Sequence, residues 1–149
     1  MLLTLTAIGV VVLCLLIVIS IKRKRDRRDM ERHSIAPEAL HALLAANQKI
    51  LLYDVRLPLD LLADSDIIVG ATRIAPREVM EHPTLIPKDK DSVIYCTCPS
   101  DETSRTILRR ARSLGFSRIK FLQGGLEGWK AKGYPVEPYK ESFHLDTAS

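Results

Sequence analysis

The sequence predicts an α/β domain built around a parallel sheet and preceded by one membrane-spanning helix. Three observations carry that prediction. Short apolar runs at residues 50–55, 92–96 and 119–122 each stop abruptly at polar or glycine residues, as strands buried on both faces do. Helical segments separate or follow them, at about 103–114 and 126–132, which is the alternation a parallel sheet needs. Ahead of all of these, residues 2–21 form a stretch of twenty without a charge.

A chain of 149 residues holds one domain of ordinary size with room for a short appendage. With 46% hydrophobic and 27% charged residues, and only 7 Gly and 8 Pro, it is neither collagen-like, low-complexity nor wholly disordered. Three cysteines are too few for a disulfide framework. The net charge of +4 invites a nucleic-acid reading, but the basicity is local. Lys22-Arg23-Lys24-Arg25-Asp26-Arg27-Arg28 carries six positive charges and one negative, which leaves the rest of the chain close to neutral. No nucleic-acid partner is expected.

At about 1.5 Å per residue, residues 2–21 would span roughly 30 Å, the hydrocarbon thickness of a bilayer. Thr4, Thr6 and Ser20 can return their hydroxyls to backbone carbonyls. A cleaved signal peptide would place positive charge before the apolar run and small residues at its end, whereas here the basic run follows it. A core helix is seldom apolar on every face over such a length. The expectation is therefore a retained anchor at 1–21 and a basic juxtamembrane linker at 22–33 lying against lipid headgroups. A domain at 34–139 and a tail at 140–149 follow. By the positive-inside rule the chain would be a single-pass protein of the cell membrane with its domain in the cytoplasm. Gly9 and Cys14 read as packing residues within the span.

After the linker, Ser34-Ile35-Ala36-Pro37-Glu38 reads as a helix start, with proline in the first turn and an acid near the positive end of the dipole. Leu40, Leu43 and Leu44 give that helix its apolar stripe. Residues 70–74 suit one more short strand and 77–81 a helical turn. Gly115 and Gly133 end the two later helices.

In sheets of this kind chemistry sits at the carboxyl ends of the strands. Asp54-Val55-Arg56, Cys96 onward and Gln123-Gly124-Gly125 qualify. Cys96 is the strongest. It closes a buried strand, a polar loop follows, and a helix begins near Thr103, so that loop and helix-terminal N–H groups would favour a thiolate and cradle an anion attached to it. A buried structural cysteine fits the same position. The residues alone leave both readings open.

The order of motifs resembles a single-domain rhodanese, a sulfurtransferase, from about Ser34 to Tyr139, some seventy per cent of the chain. The matching pieces are Tyr53-Asp54-Val55-Arg56, Gly70-Ala71-Thr72-Arg73-Ile74, Val93-Ile94-Tyr95-Cys96 and Leu122-Gln123-Gly124-Gly125-Leu126-Glu127-Gly128-Trp129. Ala131-Lys132-Gly133-Tyr134-Pro135-Val136 resembles the family's ending. The resemblance implies that Cys96 is the nucleophile, taking sulfur from a donor such as thiosulfate as a persulfide and passing it to a thiol or another nucleophile. It implies no metal and no organic cofactor. Asp54 and Arg56 would order the surroundings of the active loop as a structural ion pair or cap. Gly124 and Gly125 would turn the backbone beside the site, and Trp129 would pack in the core.

The loop departs from the family pattern Cys-x-x-Gly-x-Arg. It reads Cys96-Thr97-Cys98-Pro99-Ser100-Asp101-Glu102-Thr103-Ser104, about two residues longer, with Pro99 in place of glycine and Asp101 in place of arginine. Arg105 is the first basic residue. The usual Gly-His-Ile ahead of Gly-Ala is also altered, with Asp66-Ile67 in that region. Two carboxylates near a thiol oppose its ionisation and repel a dianion, so thiosulfate is expected to be a poor donor. Cys98 has no second pair of ligands to hold zinc with. It could form a reversible bond with Cys96, accept its persulfide, or simply fill the loop. Three functions are compatible with this loop: a sulfurtransferase, a non-catalytic module that recruits a membrane or protein partner, and a phosphatase-like or arsenate-reductase-like enzyme. The third needs an anion-coordinating arginine in the loop, where Asp101 and Glu102 stand instead.

Overall fold

The computed structural model describes residues 2–97 and 102–141, with all their side chains except those of residues 2–7, 29, 30 and 102. The chain divides into two compact units, one ending at His33 and the other beginning at Ser34.

The first unit is one helix, α1 (Leu2–Arg32), 31 residues long. It does not end at the basic run but continues through it, with Arg27 paired to Glu31 one turn on. Among the described residues no helix is long and apolar enough to cross a membrane. The last uncharged residue before the basic run is Ile21, well inside the helix. The next turn brings in Lys22, Arg23, Lys24 and Arg25. The expectation of a single-pass membrane protein with a cytoplasmic domain is thereby corrected.

The second unit is the predicted α/β domain. Its central sheet has five parallel strands in the order β1 (Ser34–Ile35), β6 (Ile119–Leu122), β5 (Ser92–Tyr95), β2 (Leu51–Asp54) and β4 (Thr72–Arg73). A strand between two neighbours and covered on both faces is buried along its whole length, and every residue of β5 is buried. A small antiparallel pair, β3 (Asp66–Ile68) with β7 (Val136–Pro138), closes one side. The connections carry α2 (Pro37–Ala45), α3 (Pro58–Ala63), α4 (Pro76–Glu81), α5 (Glu102–Ser113) and α6 (Gly125–Ala131).

Proline opens α2, α3 and α4 at a position where its missing N–H costs nothing and its fixed φ suits the helix. The Glu78 carboxylate also accepts the Ala75 N–H at the start of α4. In α5, Ser104, Ile107, Leu108 and Ala111 are buried at helical spacing and form its inward face. The helix stops at Gly115, whose φ of 83° few other residues adopt, and Lys88 donates to the Leu114 carbonyl just beyond the last turn.

On the other side of the sheet Trp129 is 1% exposed among Leu40, Leu122 and Leu126, and its Nε1 donates to the Pro135 carbonyl. Tyr134 lies against it and stacks flat on His41, ring centres 4.1 Å apart. Strand register and these two layers bring the ends of β2, β5 and β6 to one edge.

Candidate functional site

That edge carries the residues singled out from the sequence. Asp54 lies opposite Tyr95 across β2 and β5, and Val55 donates to the Tyr95 carbonyl at 2.9 Å. Cys96 follows and is 4% exposed. Its carbonyl accepts the Leu126 N–H at 2.8 Å, which ties the cysteine peptide to the first turn of α6. Gly124 and Gly125 both have positive φ, 71° and 56°. At Gly125 the requirement is double, because any Cβ there would run into the Cys96 carbonyl. Gly125 is thus the surface on which the Cys96 peptide rests.

Asp54 and Arg56 are each 0% exposed. Arg56 Nε donates to both Asp54 carboxylate oxygens at 3.0 and 2.9 Å, and Nη2 donates to Oδ2 at 2.6 Å. The remaining donors reach the carbonyls of Asp64 and Asp66, both at 2.7 Å. Burial works against the Arg56 charge, but the hydrogen bonds and the charge of Asp54 outweigh it and raise the guanidinium above its ordinary value. Tyr95 sits in the same cluster and accepts the Ile68 N–H at 3.1 Å. Burial and then the Asp54 charge push its phenol well above the usual range. Every partner named here is a protein group, so the cluster braces the loop from Asp64 to Ile68 against the strand ends.

That brace includes residues that sequence reasoning passed over. Lys130 of α6 bridges the carboxylates of Asp64, at 2.7 Å, and Asp66, at 2.9 Å, fixing the same loop from the other side. Burial disfavours the Asp64 charge, yet the Lys130 hydrogen bond prevails and holds its carboxyl below the ordinary value. No motif announces this clamp; its members are 66 residues apart in the chain.

The loop after Cys96 is the other half of the site. Thr97 is half-buried, Glu102 begins α5, Thr103 and Arg105 are half-buried, and Ser104 is 1% exposed. The expectations for Cys98, Pro99, Ser100 and Asp101, and for the side chain of Glu102, fall outside the described residues. Beside the first turn of α5 an open groove of about 250 Å³ is lined by Pro76, Arg77, Met80, Thr103, Thr106 and Ile107. The sequence pattern shows a helical turn at 77–81 but not the groove beside it.

The chain matches the family model of the rhodanese-like domain over residues 36–132. The chain belongs to that family. A sulfurtransferase of Allochromatium vinosum is 30% identical over 104 residues, covering 70% of this chain and 94% of that one. An uncharacterised protein of Synechocystis is 29% identical over 109 residues, and the matched part is 58% of its length. Among solved structures, a rhodanese-related protein from Thermoplasma volcanium superposes with a TM-score of 0.59 at 26% identity, over 70% of this chain and 97% of that one. A full-length protein from Lactobacillus plantarum does so with 0.67 at 25% identity, over 80% and 98%. The rhodanese-like fold, a central parallel sheet flanked by helices, thus accounts for the described residues from Ala36 to Lys132.

Proposed function

We propose that this rhodanese-like domain is a sulfurtransferase that carries sulfane sulfur as a persulfide on Cys96. One observation carries the reading: a cysteine closes the buried central strand at the edge where Gly125 and the Leu126 N–H hold its peptide in place. A nucleophile must be presented in a fixed direction to attack a donor in line, and a rigid seat does this without reorganisation at each turnover. The Cys96 thiolate attacks the outer sulfur of the donor, the donor's S–S bond breaks, and its electron pair leaves with the remainder of the donor. A thiol or another nucleophile then takes the outer sulfur from the persulfide and regenerates Cys96.

The test is intact mass of the full-length protein after incubation with a sulfur donor. The wild type should gain the mass of one sulfur atom, removable by a reducing thiol, and Cys96→Ser should gain none. Equal labelling of the two proteins would place the chemistry elsewhere.

A further inference from the structure

Two helices begin at the sheet edge that holds Cys96. α4 opens at Pro76 after β4, α5 opens at Glu102 after β5, and the two pack side by side. Between them lies the open groove of about 250 Å³. Pro76 and Thr103 stand at its upper end, in the first turns of the two helices, while Met80 and Ile107 lie one turn further down. Met80 and Ile107 also line a small cavity beneath, where Arg110 joins them. Arg110 therefore marks the lower end of the groove. It lies seven residues beyond Thr103 and four beyond Thr106, on the same flank of α5.

The charge on Arg110 is unanswered. Arg56, Arg77, Arg118, Lys130 and Lys132 each have a carboxylate partner, Arg77 on the opposite wall being paired with Glu81. Arg110 is exposed and has no such partner among the described residues. The negative end of α5 does not depend on it either, because Lys88 already donates to the Leu114 carbonyl there. The groove thus has an apolar floor and a free cation about 10 Å below its upper end, at 1.5 Å of rise per residue. An extended chain covers that length in about three residues.

We infer that this groove docks an extended segment of a sulfur-accepting protein, its cysteine at Cys96 and an acidic residue three positions away on Arg110. The inference rests on the sulfurtransferase reading of Cys96 and names the kind of acceptor it serves. Apolar side chains between the cysteine and the acid fit against Met80 and Ile107, and the hydroxyls of Thr103 and Thr106 can hydrogen-bond to passing peptide groups. In the transfer, the acceptor thiolate bonds to the outer sulfur of the Cys96 persulfide, and the persulfide S–S bond breaks. The electron pair of that bond returns to Cys96 as its thiolate. The acceptor now holds the persulfide, and no further oxidant is used.

The decisive measurement does not depend on sulfur transfer. The full-length protein reacts with the blocked peptide Glu-Ala-Leu-Cys-Leu-Ala-Glu, whose cysteine carries a pyridinethiol disulfide. The Cys96 thiolate bonds to the peptide sulfur, that disulfide breaks and pyridinethiolate leaves; the rate at Cys96 is followed by peptide mass. At low salt this peptide should react about tenfold faster than the same peptide with lysine in both glutamate positions, and the gap should narrow in about 0.5 M salt. Moving the two glutamates next to the cysteine should slow the exchange about threefold. Arg110→Glu should reverse the order of the glutamate and lysine peptides. Arg109→Glu, about 100° round the helix, should keep it. Thr106→Trp, at an exposed position, fills the groove and should slow the glutamate peptide while leaving alkylation of Cys96 by iodoacetamide unchanged, which keeps the test decisive if Arg110→Glu does not fold. Equal rates for the two peptides, or an order that Arg110→Glu leaves alone or Arg109→Glu also reverses, overturns the docking groove even where Cys96 forms a persulfide. The stated order in a wild type that no sulfur donor loads supports the groove and overturns the sulfurtransferase reading.

Discussion

The two halves of one sheet edge treat buried polarity in opposite ways. Around β2, Asp54 and Arg56 are wholly buried ions, and each guanidinium nitrogen has a carboxylate or carbonyl to bind. Around the end of β5 and the start of α5, three buried polar atoms have no partner among the described residues. A matched network stiffens the place where it sits, because moving any member leaves a charge stranded. Unmatched donors give no such stiffening. The first half is therefore scaffold, and the second holds buried polar atoms that no described residue matches.

The largest expected effect breaks the matched half. Arg56→Met leaves the Asp54 carboxylate buried and alone, and should cost about 3–5 kcal/mol of stability in urea unfolding. Replacing both residues, as Asp54→Leu with Arg56→Met, should cost clearly less than the two single changes added together. Ser104→Ala, in the unmatched half, should change stability by under about 0.5 kcal/mol, because no hydrogen bond is lost. A comparable loss at Arg56 and Ser104 would remove the distinction between the halves.

A smaller effect is expected where the halves meet. Gly125→Ala combines a positive φ with a Cβ driven into the Cys96 carbonyl. It should cost about 2–3 kcal/mol and reduce persulfide formation by more than the fraction of protein unfolded, since the Cys96 peptide must shift. Gly133→Ala also sits at positive φ but meets nothing within van der Waals reach. It should show the strain alone and leave persulfide formation in step with the folded fraction.

The smallest effect concerns the outer brace. Asp64 has its carboxyl held below the ordinary value in the folded chain, mainly through Lys130 against the opposing effect of burial. A depressed folded pKa contributes stability above the unfolded value, near 3.8, and that contribution disappears as pH falls through the lower folded value. Lys130→Met should therefore destabilise at neutral pH by less than about 1 kcal/mol, since the pair is a third exposed and solvent screens it. The difference from wild type should shrink as pH falls below about 3.8 and vanish once Asp64 is protonated in the folded chain as well. A difference that persists in acid would assign the loss to packing of the lysine stem.

What was legible in the sequence follows from how many residues each element has to show its pattern. The strands ending at Asp54, Tyr95 and Leu122 are continuous apolar runs, and α5 repeats its inward residues over three turns, so both kinds of element stand out. Strands of two or three residues, β1, β3 and β7, display no period; they exist because distant chain segments meet, as Ile68 meets Val136. α3, a helix of six residues, was also missed. The anchor was misread because hydropathy ended at Ile21 while helical geometry did not: α1 runs on to Arg32, and no described stretch of it is long and apolar enough to span a bilayer. Cys96, Asp54, Arg56, Gly124 and Gly125 could be placed at strand ends from the chain order alone. That Arg56 would reach the carbonyls of Asp64 and Asp66, or that Ser104 Oγ and Arg105 Nε would be shut off from solvent, depends on tertiary packing that no local pattern encodes.

The seat of Cys96 also has a history during synthesis. Leu126, whose N–H fixes the Cys96 carbonyl, is made thirty residues after it, and Gly125 arrives with it. β6, which flanks β5 on the side away from β2, is likewise made later. On the ribosome the cysteine therefore emerges before the turn that will hold it, and contacts so far apart in the chain are slow to close. The turn that seats the cysteine is translated last, so a polypeptide stalled or cut before residue 122 carries Cys96 without that seat.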